Sequence, residues 1–104
     1  MTFRVEFTPE ADDDQDRLFD FLLDRAETVE EAMRAYEAVE AIRTAANSHL
    51  ATTPYSYRKV GRRPTLRELI VPFGSTGYVF RFDICTPELV LVIGARHQRE
   101  EDFQ

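Results

Sequence analysis

Three strand-like runs in the last third of the chain, residues 65–71, 78–84 and 89–95, limit what it can fold into more than any other feature. Residues 78–84 place Tyr78, Phe80, Phe82 and Ile84 on one side and Val79, Arg81 and Asp83 on the other. That is the two-residue period of a strand with one face in a core. Residues 89–95 are apolar without a break, as a central strand covered on both faces would be. Gly-Arg-Arg-Pro at 61–64, Pro-Phe-Gly-Ser-Thr-Gly at 72–77 and Cys-Thr-Pro-Glu at 85–88 are turn sequences. A shorter, more polar strand is expected over 55–60. Strands joined by turns this short pair antiparallel with their neighbours, giving a meander.

The first half supplies a layer to cover that sheet. Phe3, Val5 and Phe7 alternate with polar residues and predict an opening strand over 2–7. Thr8 and Pro9 suit the cap and first position of a helix, and Glu10, Asp12, Asp13 and Asp14 favour its positive end. Its apolar face is Ala11, Leu18, Phe21 and Leu22, widened by Phe19 and Leu23. Thr28-Val-Glu-Glu31 is a capping box that opens a second helix. Val29, Ala32, Met33, Tyr36, Val39, Ile42, Ala46 and Leu50 form one stripe along it, and Pro54 ends it. Phe21, Met33 and Tyr36 are expected in the core. The order β-α-α-β-β-β-β predicts an α+β fold, a helical hairpin on one face of a mostly antiparallel sheet, within a single domain over 1–104. The other sheet face and the end of the last strand are left for function.

Charge is distributed unevenly. Residues 1–40 carry 13 acidic and 4 basic side chains, and residues 41–104 carry 6 acidic and 9 basic, eight of them arginine. An acidic helical face and an arginine-bearing sheet are therefore expected. The acidic run 12–16 serves solubility on this reading, or repels the wrong partner by charge. No apolar run approaches the roughly 20 residues a membrane helix needs. The opening residues lack a basic stretch followed by an apolar one, so no signal peptide is expected. One cysteine, Cys85, permits no internal disulfide, which suits the cytoplasm. It stands without His or acidic residues at ligand spacing, so neither a metal nor a cofactor is expected.

Candidate functional residues follow from the arginines. Arg67, Arg81, Arg96 and Arg99 recur on the last strands, and His97 stands where the final one ends. Guanidinium groups gathered beside an imidazole would engage an anion or an acidic partner. Arg58, between Tyr55 and Tyr57, could extend that patch. Each has a plainer alternative: cross-sheet pairing for Arg67 or Glu68, idle exposure for Arg81, a hydrogen-bonded structural role for His97, and a half-buried edge strand around Arg58. His49 suits a helix C-terminus.

The chain resembles the RelE/ParE superfamily of small bacterial toxins. The residues that carry the resemblance are Leu50 through Pro54-Tyr55-Ser-Tyr-Arg58, Leu66-Arg67-Glu68-Leu69, Gly77-Tyr78 followed by Arg81, and the ending His97-Gln98-Arg99. That ending is closer to the ParE branch. The resemblance implies the toxin of a type II toxin–antitoxin, plasmid-stabilisation-type module, neutralised by a cognate antitoxin. A ParE-like member would inhibit DNA gyrase without catalysis, with Arg58, Arg67, Arg81, His97 and Arg99 as target-binding residues. A RelE-like member would be a metal-independent endonuclease of ribosome-bound mRNA, with Arg67, Arg81, Arg96 and His97 as its catalytic set. A non-toxic binding module of the same fold is the third reading. RelE-like enzymes carry a tyrosine near the C-terminus, where this chain has Phe103. Three acids at 100–102 and a pI near 4.9 also oppose RNA binding. The gyrase-directed reading is preferred.

Overall fold

Each helix starts where the sequence places its cap. In a computed structural model that describes residues 2–74 and 76–98, β1 (Arg4–Phe7) leads to α1 (Pro9–Asp24), whose first free amides are met by the Thr8 hydroxyl accepting from Ala11 N at 3.1 Å. Helix α2 (Val29–Thr52) begins the same way, with Thr28 Oγ1 accepting from Glu31 N at 3.1 Å. The Glu31 carboxylate reaches back to the Glu27 amide at 2.8 Å, one residue earlier than a standard capping box. The α2 terminus is closed by Thr53, whose amide donates to His49 O at 2.9 Å, and Pro54 then starts a 3-10 turn, Pro54–Ser56.

Strands β2 (Arg58–Val60), β3 (Arg63–Phe73), β4 (Thr76–Ile84) and β5 (Leu89–His97) form the expected meander. The strand expected over 55–60 shortens to β2 because the 3-10 turn takes its first residues. β3 runs longer than expected and contains Pro64 and Pro72; Pro72 lies past Glu68, the last β3 residue that β2 pairs, so its missing N–H costs no ladder bond there. The sheet order is β1-β5-β4-β3-β2. β1 lies at the far edge and pairs parallel to β5, from Arg4 opposite Leu89 to Phe7 opposite Val92, while the other pairings are antiparallel.

Both helices cover one face. Ala11 and Leu18 of α1 and Val39, Ile42, Ala46 and Leu50 of α2 pack on Leu69, Val71, Tyr78, Phe80, Phe82, Ile84, Val90, Val92 and Ala95. Edge-to-face rings extend this core through Phe7–Phe80 and Tyr57–Phe82. Three residues expected there are outside it: Phe21, Met33 and Tyr36 are 52%, 59% and 57% exposed. The apolar stripe of α2 is continuous, but only its half from Ala35 onward is buried. β5 also lacks a second cover, since Leu89, Leu91 and Ile93 alternate with its buried residues at intermediate exposure.

The acidic run of α1 is partly structural. Asp14, 6% exposed, accepts from the Ala95 amide through Oδ2 at 2.8 Å, and its backbone carbonyl accepts from the Tyr78 hydroxyl at 3.1 Å. β1 ends opposite Val92, so beyond it Asp14 takes over as partner of the β5 edge. Arg43 of α2 donates to Asp12 and Gln15, both at 2.7 Å, with its guanidinium 3.8 Å from the Phe7 ring centroid. These bonds hold α1 against both β5 and α2.

Candidate interaction surfaces

One residue decides which side of the sheet the end of β5 presents. Across β4, Phe82 faces Val92 while Arg81 faces Gly94, so Ile93 is an extra residue, a β-bulge. A regular strand would keep Val90, Val92, Gly94 and Arg96 on one face. The bulge shifts the alternation, so Ala95 and His97 lie opposite Phe80 and Tyr78 on the helical face, and Arg96 lies opposite Val79 on the open face.

His97 therefore lines a cleft of about 680 Å³ between α1 and the ends of β3, β4 and β5. Arg17, Phe21 and Arg25 descend one side of α1 at four-residue spacing, and Leu18, Phe73, Tyr78 and Ala95 complete an apolar floor. Arg17 is ion-paired with Asp14, and Arg25 lies over the Phe21 ring, its Cζ 4.2 Å from the centroid. The Phe73 and His97 rings meet edge to face at 6.5 Å. An apolar trough rimmed by two guanidinium groups suits an amphipathic segment that carries carboxylates along its edge.

The open face holds a different cluster. Glu68, 6% exposed, accepts from Arg58 at 2.5 Å and from Arg81 at 2.8 Å. Burial pushes the Glu68 carboxyl up, but hydrogen bonds and charge from Arg81 and Arg58 outweigh it, and the group ends below the ordinary glutamate range. Arg96 turns back on its own strand, donating to the His97 and Gln98 carbonyls at 3.3 Å. Burial and the Asp83 charge raise the pKa of the Cys85 thiol above its ordinary value.

Arg67 belongs to neither surface. It lies opposite Phe82 on the helical face, with only 8% of its surface exposed. Its guanidinium donates to the carbonyls of Pro64, Tyr55 and Tyr57, each at 2.9 Å, and stands 5.3 Å from the Tyr55 ring centroid. It holds the 3-10 turn against β3.

Against known proteins, the model of the ParE toxin of the type II toxin–antitoxin system, parDE, matches residues 5–102. The chain belongs to the ParE toxin family. It is thus the toxin of a type II toxin–antitoxin module, and such a module implies an antitoxin partner. Among solved structures it is similar to a chain of the chromosomal ParDE toxin–antitoxin system from P. aeruginosa, with a TM-score of 0.68 and 14% identity. That alignment covers 92% of this chain and 96% of the other, a likeness of fold. No curated protein matches the chain.

The ParE branch read from the ending of the sequence therefore holds. The described candidate residues named from the sequence are divided between the two sheet faces. In this ParE toxin Arg58 and Arg81 meet on Glu68, Arg67 is enclosed beneath the 3-10 turn, Arg96 lies on the open face, and His97 lies on the helical face. Arg99 and Phe103 lie outside the described residues. Sequence reasoning missed Arg17, Phe21 and Arg25 as a unit, although their four-residue spacing marked one helix side. Among the described residues no group of three or more His, Cys, Asp or Glu side chains is placed to hold a metal ion. Among them, too, no helix is long and apolar enough to cross a membrane.

Proposed function

We propose that this ParE toxin arrests growth by binding DNA gyrase through its surface, without bond-cleaving chemistry of its own, and that the α1–β5 cleft receives its antitoxin. The observation that carries the non-catalytic reading is the division of the candidate groups between two sheet faces. Metal-free RNA cleavage needs a base, an acid and cations around one phosphate. His97 faces the helices, Arg81 and Arg96 face away from them, and Arg67 is committed to three carbonyls. A net charge of −6 further disfavours a chain that grips RNA through many phosphates.

Target contact on this reading falls to the open face around Arg58 and Arg81, and a gyrase target places the toxin's work in the cytoplasm. The cleft suits the antitoxin because its floor is apolar and its rim is cationic, matching an acidic amphipathic tail. The test is induction of the chain without its antitoxin, with DNA synthesis and translation followed separately by labelled-precursor uptake. Early loss of DNA synthesis with an induced damage response is expected, together with inhibition of purified gyrase supercoiling. Early loss of translation with cleaved mRNA would overturn the gyrase assignment.

A further inference from the structure

The hairpin carries a second surface on the side of α1 away from the cleft. Phe19 and Leu23 stand two residues out of phase with Arg17, Phe21 and Arg25, which turns them to the opposite side of the helix. With Val29, Ala32, Met33 and Tyr36 of α2 they line a hollow of about 250 Å³. Phe19 and Tyr36 meet edge to face at 6.1 Å inside it. Val29, Met33 and Tyr36 are among the most exposed large apolar side chains of the described residues. A folded chain seldom leaves such a group uncovered without a use for it.

The charge around this hollow is of one sign. Asp16 precedes Phe19 by three residues and Asp20 precedes Leu23 by three, while Glu37 and Glu40 follow Met33 and Tyr36 by four, so all four flank it at helical spacing. Glu30 stands beside Val29. None of these five carboxylates forms an ion pair among the described residues. The arginines of the hairpin are directed elsewhere: Arg17 is bound to Asp14, and Arg25 and Arg34 line the groove beside Phe73.

We infer that this face docks a cationic amphipathic helix, its apolar side chains filling the hollow and its Lys or Arg residues meeting the five carboxylates. A second copy of the chain would bring two acidic rims together, and an anionic bilayer would be repelled for the same reason. This surface is independent of the gyrase and antitoxin readings: its charge is opposite to that of the cleft, and it shares no side chain with the cleft or with the Glu68 cluster.

The test titrates the full chain with a labelled Leu/Lys peptide about 18 residues long, patterned at helical spacing. The controls are a Leu/Glu peptide of the same pattern and a scrambled Leu/Lys peptide of the same charge. The patterned Leu/Lys peptide is expected to bind about tenfold more tightly than either control, and the double variant Met33→Ser, Tyr36→Ser to lose about tenfold of that affinity while remaining fully folded at the assay temperature, with its unfolding midpoint lowered only by the lost Phe19–Tyr36 contact and helix propensity. Glu37→Gln with Glu40→Gln is expected to flatten the salt dependence of binding. Equal binding of the scrambled peptide, or undiminished binding by the serine variant, would overturn the inference. A wild-type dimer in sedimentation that the serine variant loses would also overturn it, by assigning the face to a second copy.

Discussion

Replacing Asp14 by alanine tests how α1 is fixed to the sheet. The Ala95 amide is buried and gives its hydrogen to Asp14 Oδ2 at 2.8 Å. Without that oxygen it has no replacement acceptor in the core, at a cost of about 1–3 kcal/mol. The ion pair with Arg17 adds at most about 1 kcal/mol, because the arginine is largely in solvent. The expected total is about 2–3 kcal/mol, or a fall in Tm of roughly 10–20 °C for a chain this size. Asp14→Asn retains an oxygen acceptor at the same place and should lose less than half as much. Urea unfolding measures both variants, and hydrogen exchange at Ala95 localises the effect: protection there should fall in Asp14→Ala and persist in Asp14→Asn. An alanine variant within about 0.5 kcal/mol of wild type would refute the reasoning, since that is the range of an ordinary surface substitution. So would an asparagine variant as unstable as the alanine one.

Other consequences are open to measurement. Arg67→Lys should cost about 2–3 kcal/mol in urea unfolding, because a single ammonium cannot serve the three carbonyls that the guanidinium joins. The folded-state pKa of Glu68 is lowered, so its contribution to stability is present above the ordinary glutamate value and is lost as pH falls through the folded one. Glu68→Gln should therefore flatten the acid side of the stability–pH curve and leave the alkaline side alone. Thr28→Ala should cost about 1 kcal/mol by removing the α2 cap. Phe21→Glu, on a half-exposed side chain, should leave Tm within a few degrees and, if the cleft receives the antitoxin as proposed, weaken binding of the cognate antitoxin at least tenfold, read by calorimetry.

Much of the architecture was legible because local chemistry and global fold agree. Thr8 and Thr28 cap the helices the sequence assigns to them, and the alternation of Tyr78, Phe80, Phe82 and Ile84 marks the face the helices cover. The parallel partnership of β1 with β5 was not legible, since no local pattern records which strand an edge will meet. Asp14 looked like one member of a solvated run, because its need for burial arises only from the β5 edge left free beyond β1. Phe21, Met33 and Tyr36 fit the apolar periodicity, yet the stripe of α2 continues past the part of the helix that the core buries. Two features of the candidate residues were hidden: Arg67 is drawn to the carbonyls around the 3-10 turn, and one additional residue at Ile93 exchanges the sides of Arg96 and His97, which period two read along the sequence cannot register.

The strand order also bears on when this protein becomes itself. Among the described strands β1 is made first and its partner, β5, last. A nascent chain carrying β1 and both helices has neither the strand that β1 pairs with nor the Ala95 amide that receives Asp14. Closing so long a loop is slow relative to local folding and is rewarded only once β5 is available. Assembly of the α1–β5 cleft therefore waits for β5, and any antitoxin that reads the cleft recognises only chains in which that strand has been made and paired.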